Sequence, residues 1–276
     1  MSVRVSFVSA GPGAADLITL RGVQRLSQAA VVLFDALTDP ALRAFAPQAT
    51  WVDVGKRGFD HAAKQSDINA LLVQYAQTAT GLVVRLKGGD ASVFGRLEEE
   101  LEALAQAGIA SEVVPGVTAA SAAAAETQRP LTRRGSGRTV ALTTAMTREG
   151  DLHAGKTADT EVFYMAGRQL PALRRRLLAA GWPAETPALV VSRAGCADAL
   201  HSSHALADLA DAQALHAGRP TVVTVGVGAQ EVGAVVAKPV HAGCGFPTPP
   251  QENPRPHLTS RALPFPASTL ARALPP

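Results

Sequence analysis

The chain has 276 residues, of which 47% are hydrophobic and 18% are charged, and its formal net charge is +3. This balance is typical of a globular protein with a sizeable core and excludes a disordered chain. Aromatic residues make up only 4% of the sequence, which argues against a base-stacking surface and hence against nucleic acid as a partner.

The sequence also predicts where the protein works. No segment approaches the roughly 18 consecutive apolar residues of a membrane span, and the first residues alternate too strongly for a signal peptide. Cys196 and Cys244 are far apart in the sequence and do not form the closely spaced cysteine pair of a typical zinc site. We therefore expect a cytoplasmic protein with reduced thiols, no metal and no membrane association.

The first half of the chain alternates predicted strands with predicted helices. Asp16 and Ser66 are expected to cap the first two helices, because their side chains accept hydrogen bonds from free backbone N–H groups. This alternation predicts an α/β domain with a mainly parallel sheet. The strands are predicted over residues 3–9, 31–34, 51–54, 82–86 and 112–114, and the helices from residue 20 and over 66–78 and 97–107.

A second series of elements follows a stretch of small residues at 116–132. Its strands are predicted over 138–144, 161–165, 188–192 and 221–227, and its helices over 171–180 and 206–215. We therefore predict two α/β domains, 1–117 and 118–237. The remaining residues, 238–276, are rich in proline, which removes backbone donors, and are expected to form a mostly disordered tail.

Glycine-containing loops follow several of the predicted strands, at the position where α/β proteins bind ligands. The loop Gly11-Pro12-Gly13 lacks the third glycine of a dinucleotide-binding fingerprint, because Asp16 stands there. Gly88-Gly89-Asp90 suits a ligand that carries an amine, and Gly55-Lys56-Arg57-Gly58 suits carboxylates. Each loop taken alone is equally compatible with an ordinary turn or a solvated surface.

Taken together, the motifs resemble the uroporphyrinogen-III C-methyltransferases of the tetrapyrrole methylase superfamily over about residues 3–228. Their order and spacing carry the resemblance more than any one motif does. The main motifs are Ala10-Gly11-Pro12-Gly13, Val32-Leu33-Phe34-Asp35, Val54-Gly55-Lys56-Arg57-Gly58, Val84-Arg85-Leu86-Lys87-Gly88-Gly89-Asp90, Val93-Phe94-Gly95-Arg96, Val113-Val114-Pro115-Gly116-Val117-Thr118-Ala119, Pro130-Leu131-Thr132-Arg133-Arg134 and Val162-Phe163-Tyr164-Met165.

The resemblance implies two α/β domains with the active site in the cleft between them, a homodimer, and S-adenosylmethionine bound in that cleft. It places the acid–base pair on Asp35 and Lys56. Cofactor contacts fall on Pro12, Gly88, Gly89, Asp90, Val93, Thr118, Ala119, Met165 and Ala194.

The implied substrate, uroporphyrinogen III, carries eight carboxylates, and cations are expected to bind them. Two methyl transfers would convert it to precorrin-2, with Asp35 accepting a proton after each attack. Asp35 is alternatively a loop cap, and Arg21 a solvated helix residue. The cations expected around the substrate are Arg21, Lys56, Arg57, Arg96, Arg133 and Arg134.

The sequence departs from the family pattern at several positions. Ala91 replaces a proline, Leu97-Glu98 replaces a glycine pair, and Ala166 and Ala194 stand where glycine is usual. These changes are expected to affect the affinity and pose of the cofactor more than the reaction. Two alternatives stay open: a methyltransferase acting on a later precorrin, and an inactive protein that binds a tetrapyrrole or S-adenosylmethionine.

Overall fold

A computed structural model describes residues 3–55, 65–145 and 154–232. The predicted proline-rich tail and two of the predicted site residues, Lys56 and Arg57, lie outside these ranges. The described residues belong to one compact unit, Met1–Ala237, that contains two five-stranded sheets. The division into domains at residue 117 stays a prediction.

The first sheet has the strand order β3-β2-β4-β1-β5, and all its neighbouring strands are parallel. This confirms the mainly parallel sheet predicted for the first half. The elements are β1 (Val5–Ser9), α1 (Leu20–Ser27), β2 (Ala29–Phe34), β3 (Thr50–Asp53), α2 (Gln65–Thr78), β4 (Leu82–Lys87), α3 (Leu97–Gln106) and β5 (Ser111–Val114).

Both faces of this sheet are covered. Alternate side chains of a strand point to opposite faces, so Val8 and Val84 pack with Leu26 of α1 on one face. Phe7 lies on the other face with Leu104 of α3, in a cluster that also contains residues of α2. Burial on both faces explains why these strands are nearly continuous apolar runs.

The second sheet has the order β6-β7-β10-β8-β9. Only β6 and β7 run parallel, whereas the other neighbouring pairs are antiparallel. Strand β10 lies between β7 and β8, which therefore run in the same direction, and α5 connects them. The elements are α4 (Ala119–Glu126), β6 (Val140–Thr144), β7 (Thr160–Tyr164), α5 (Leu170–Ala179), β8 (Pro187–Ser192), β9 (Leu200–Ala205), α6 (Ala212–Leu215) and β10 (Thr221–Gly226).

Two of these elements were not predicted from the sequence. Helix α4 contains six alanines and no amphipathic period, so its sequence is typical of a linker, yet Ala120, Ala122 and Ala123 are buried. Strand β9 has the polar sequence Leu-His-Ser-Ser-His-Ala and is an edge strand beside β8. The helix predicted over 206–215 is a 3₁₀ segment, Leu206–Asp211, followed by the short α6.

Both predicted helix caps are wrong. Asp16 lies in a 3₁₀ turn, Ala15–Leu17, and Thr19 caps α1 instead, because its extended backbone lets its hydroxyl accept from the Gly22 amide at 3.1 Å. Ser66 lies inside α2, one residue after the helix begins.

Within the described ranges, no helix combines the length and apolar character that a membrane crossing requires. In the same residues, no three His, Cys, Asp or Glu side chains are grouped in a way that would hold a metal ion.

His216, which directly follows α6, is buried against β8 and β9 of the second sheet. The His216 Nδ1 atom lies 2.9 Å from the Ser192 hydroxyl, and its Nε2 atom lies 2.9 Å from the Ser202 hydroxyl. Burial, followed by the nearby His204 and Arg219, lowers the pKa of His216 below its ordinary value of 6.5. The unfolded chain therefore binds this proton more readily than the folded protein does.

We expect the free energy of unfolding to fall as the pH drops below about 6.5, since folding must then keep His216 neutral. One such group contributes at most about 1.4 kcal/mol per pH unit. Urea denaturation at pH 7.5 and 5.5 measures the loss. His216→Gln should reduce this pH dependence. A pH dependence in His216→Gln equal to that of the parent protein would contradict the assignment.

Candidate active site

The loops that follow the strands of the first sheet carry most of the predicted site residues. Because the strands are parallel, their carboxyl ends lie along one edge of the sheet. Asp35 directly follows β2, and Gly88 and Gly89 directly follow β4. Pro12 lies in the loop after β1, and Thr118 in the loop after β5.

The loops after β1 and β4 are joined through their backbones. The Gly89 amide donates to the Gly11 carbonyl at 2.7 Å, and the Gly11 amide donates back at 3.2 Å. Gly89 has a φ of +69°, and no atom lies within 4 Å of the position where a Cβ would stand. A side chain there is therefore strained, and the open space leaves the backbone accessible to a ligand. This geometry fits the predicted contact with a cofactor.

Asp90 links two of these loops. Its Oδ1 atom accepts from the Ser92 amide and its Oδ2 atom accepts from the Gly116 amide, each at 2.8 Å. The carboxylate thus holds the loop after β4 against the loop after β5. Each oxygen keeps a further lone pair, so a ligand contact at Asp90 is compatible with this structural role.

Tyr164, at the end of β7, connects the second sheet to the loop after β5. Its hydroxyl oxygen lies 2.6 Å from the Thr118 hydroxyl and accepts from the Ala120 amide at 3.3 Å. Its ring packs against Phe94, with 5.0 Å between the ring centroids. Val93 and Ala119 pack against the same buried cluster. The tertiary structure therefore brings these predicted cofactor residues together around Tyr164.

Met165 follows Tyr164 and has a φ of +57°, in the left-handed region that non-glycine residues rarely adopt. Its side chain is 47% exposed, which is unusual for a methionine next to a buried strand. An exposed apolar side chain held in a strained backbone conformation is typical of a functional loop.

The loops after β1 and β8 are in close backbone contact. The Ala14 amide donates to the Gly195 carbonyl at 2.8 Å, and the Gly195 amide donates to Glu126 at 3.2 Å. A Cβ on Gly13 would lie 2.5 Å from the Gly195 carbonyl carbon, which leaves no room for a side chain. Ala194 is buried beside this contact. Predicted cofactor residues of the two halves thus lie in touching loops.

Asp35 is held by a buried guanidinium. The Arg85 Nη2 atom donates to Asp35 Oδ1 at 2.7 Å, and the Asp35 side chain keeps 31% of its surface exposed. Arg85 also binds Glu100, which is fully buried on α3. The Lys87 ammonium binds both oxygens of Glu100, at 2.9 and 3.0 Å. Burial and the nearby Arg85 lower the pKa of Lys87.

Arg85 and Lys87 are two residues apart on β4 and therefore share one face of the sheet. Two cations and two carboxylates make a network with no net charge, which is the condition for tolerating charges in a protein interior. Its exposed end is the Asp35 carboxylate, at the loop edge of the sheet. This arrangement holds the Asp35 carboxylate at that edge and leaves it partly exposed.

Residues 4–210 match the family model described as Tetrapyrrole (Corrin/Porphyrin) Methylases. The chain belongs to the tetrapyrrole methylase family. This confirms the resemblance found in the sequence, and the two-sheet fold is the one that family members share.

Two solved structures illustrate the likeness of this tetrapyrrole methylase to others. Uroporphyrin-III C-methyl transferase from Thermus thermophilus, in complex with S-adenyl homocysteine, is 34% identical with a TM-score of 0.72, over 82% of this chain and 98% of that one. A cobalt precorrin-4 methyltransferase of cobalamin biosynthesis is 27% identical with a TM-score of 0.72, over 83% of this chain and 96% of that one.

Curated relatives of the methylase are longer proteins. A siroheme synthase from Edwardsiella ictaluri is 44% identical over 192 residues, which are 68% of this chain and 41% of that protein. A siroheme synthase from Pseudomonas fluorescens is 43% identical over 231 residues, 80% of this chain and 49% of that protein. The chain thus spans less than half the length of these relatives.

Two of the cations predicted to bind the substrate already have partners within the described residues. Arg96 makes a bidentate ion pair with Glu99, with N–O distances of 2.7 and 2.8 Å. Arg133 donates to the backbone carbonyls of Gln230 and Glu231, so its guanidinium already supports the second half. Arg21 and Arg134 are exposed. Their roles toward a substrate stay predictions.

Three residues of the site were missed by the sequence analysis as functional candidates: Arg85, Glu100 and Tyr164. The signal for Arg85 was present, since charged residues two apart in an otherwise apolar strand must find a buried partner. No pattern identifies Glu100 as that partner, because the first turn of α3 contains Glu98, Glu99 and Glu100 in succession. Only the rotation of the helix against the sheet selects among them.

We expect Gly13→Ala to lower the free energy of unfolding by about 1–3 kcal/mol, because its Cβ would overlap the Gly195 backbone, which cannot move aside. Urea denaturation measures the change. The control is Gly88→Ala, whose Cβ would come no closer than 3.5 Å to Leu37. Equal stability of the two variants would show that the loops after β1 and β8 can move apart at little cost in free energy.

Proposed function

We propose that this chain is an S-adenosylmethionine-dependent C-methyltransferase that converts uroporphyrinogen III to precorrin-2 by two methyl transfers, in sirohaem or corrinoid biosynthesis. We further propose that it works as a homodimer in the cytoplasm, with the active site in a cleft between two α/β domains. The observation that carries the proposal is the Asp35 carboxylate, anchored by Arg85 on the edge that also bears the glycine loops.

The substrate assignment is supported by the likeness to the Thermus thermophilus enzyme, at 34% identity over 98% of that chain. The cobalt precorrin-4 methyltransferase is less similar in sequence, at 27%, but its TM-score of 0.72 is the same. A later precorrin is therefore the second candidate substrate, and a binding protein without turnover is the third reading.

The residues proposed to hold the cofactor lie on loops that touch one another in the described structure. Gly89 offers open backbone, Thr118 offers a hydroxyl, and Met165 offers an exposed apolar side chain. When bound, S-adenosylmethionine supplies an electrophilic methyl group. The loops would position it against a pyrrole carbon. The full proposed set is Pro12, Gly88, Gly89, Asp90, Val93, Thr118, Ala119, Met165 and Ala194.

Asp35 is the proposed proton acceptor. A pyrrole carbon that has gained a methyl group leaves the macrocycle with a positive charge, which is relieved when a proton departs. The ionised Asp35 carboxylate takes that proton, and Lys56 is proposed as its acid–base partner. The cations proposed to bind the substrate carboxylates are Arg21, Arg57, Arg96, Arg133 and Arg134. Arg133 does so only if its guanidinium leaves the backbone carbonyls that it now contacts.

The first test is anaerobic incubation of the purified protein with S-adenosylmethionine and enzymatically generated uroporphyrinogen III, followed by mass analysis of the tetrapyrrole. We expect a gain of two methyl groups. If no methyl group is gained although calorimetry shows that S-adenosylmethionine binds, the proposed substrate is wrong. Turnover of a later precorrin would then support the second candidate, and its absence would support the binding role.

We expect Asp35→Asn to lower kcat by about a hundredfold or more, the usual contribution of a general base, while S-adenosylmethionine binding stays unchanged. Single-turnover methylation and calorimetry measure the two effects. Asp208→Asn, an exposed aspartate on the second half, is the control and should keep normal turnover. Near-normal turnover in Asp35→Asn would exclude Asp35 as the base.

A further inference from the structure

The guanidinium of Arg85 is completely engaged. Its Nε atom donates to Glu100 at 3.2 Å, and its Nη2 atom donates to Glu100 at 3.1 Å and to Asp35 at 2.7 Å. Its Nη1 atom donates to the carbonyls of Leu86 at 3.2 Å and Leu33 at 3.5 Å. All five N–H bonds of a guanidinium thus have an acceptor, so the group has a single orientation.

Glu100 is the group that sets this orientation. Its Oε1 atom accepts from both Nε and Nη2 of Arg85, which fixes the plane of the guanidinium. It also accepts from Lys87 and, at 3.1 Å, from Gln65 of α2. Glu100 has no exposed surface, so it cannot itself touch a substrate. Any effect of Glu100 on the reaction must pass through Arg85 to Asp35.

We propose that Glu100 is a positioning residue, which holds Arg85 so that Arg85 orients the Asp35 carboxylate. This inference deepens the proposed function and rests on Asp35 as the proton acceptor. A base that is fixed before the substrate arrives needs no reorganisation during proton transfer. The contacts from Glu100 to Arg85 and from Arg85 to Asp35 connect α3 to the loop edge of the first sheet.

A purely structural role predicts something different. Glu100 would then serve only to neutralise Lys87, and any pair of uncharged side chains of suitable size would replace the two equally well. The two roles separate when the charge of Lys87 is removed together with that of Glu100. The two roles then differ in one respect: the positioning role requires that the side chain at position 100 offer Arg85 a hydrogen-bond acceptor.

Two matched double variants ask that question. Lys87→Met with Glu100→Gln keeps an oxygen acceptor for Arg85, and Lys87→Met with Glu100→Leu removes it at similar side-chain volume. Both leave Arg85 and Asp35 as a neutral pair. We expect kcat of the leucine variant to be lower than that of the glutamine variant by roughly tenfold or more, the effect of misplacing a reacting group. KM and S-adenosylmethionine binding should be equal in the two.

Equal kcat in the two folded variants would overturn the proposal and leave Glu100 a purely structural residue. Circular dichroism and melting temperature establish that both variants fold. Glu102→Gln, an exposed glutamate on the same helix, is the control for loss of charge on α3 and should keep normal turnover.

A second measurement needs no change at Glu100. In Arg85→Gln, the buried Lys87–Glu100 pair stays neutral, while Asp35 loses the guanidinium that donates to its carboxylate. Among the described residues, Arg85 is the charged group in contact with Asp35, with Glu100 and Lys87 behind it. We therefore expect kcat to fall by roughly tenfold or more, while KM and S-adenosylmethionine binding stay unchanged. An unchanged kcat would contradict the positioning role, and this test decides the matter if the double variants fail to fold.

The Asp35→Asn result separates this inference from the proposed function. If Asp35→Asn keeps normal turnover, the base assignment fails and the inference fails with it. If Asp35→Asn abolishes turnover but the two double variants are equal, the proposed function stands and only the positioning role of Glu100 is wrong.

Discussion

A buried guanidinium shared by two carboxylates organises the loop edge of the first sheet. Burying Arg85 requires that its charge be matched and its N–H groups be satisfied, and Asp35 and Glu100 provide both conditions. Glu100 also binds the ammonium of Lys87. Without Glu100, the network would carry an excess of positive charge. One end of this network is sealed beneath α3, and the other reaches solvent at Asp35. The requirement for charge balance in the core thus fixes the position of the proposed base.

The two halves of the described chain meet through small residues. Gly13 allows the loop after β1 to lie against Gly195, and the alanines of α4 allow close packing beside the second sheet. Tyr164 adds a polar contact by holding the Thr118 hydroxyl. These contacts involve or flank predicted cofactor residues. The same short distances that join the halves therefore also bring the proposed cofactor loops together.

Backbone strain is concentrated in these loops. Of the described non-glycine residues with positive φ, Phe94, Arg96, Met165 and Arg193 lie within or beside predicted site positions, whereas Gln128 follows the end of α4. Such conformations cost on the order of 1–3 kcal/mol each and persist only where surrounding contacts enforce them. Their distribution agrees with loops shaped for a ligand, at some expense in stability.

The sequence alone determined the alternation of strands and helices, because apolar runs and periodic patterns reflect burial that is local in the chain. It also determined the family, through the order of motifs such as Gly88-Gly89-Asp90. It did not determine α4 or β9, whose alanine-rich and polar sequences acquire their structure from neighbouring elements. Nor did it select Glu100 from three successive glutamates, or Tyr164 as the partner of Thr118. Only the tertiary structure decided these features. They depend on how a helix is rotated about its axis against a sheet, and on which loops come into contact when the chain folds.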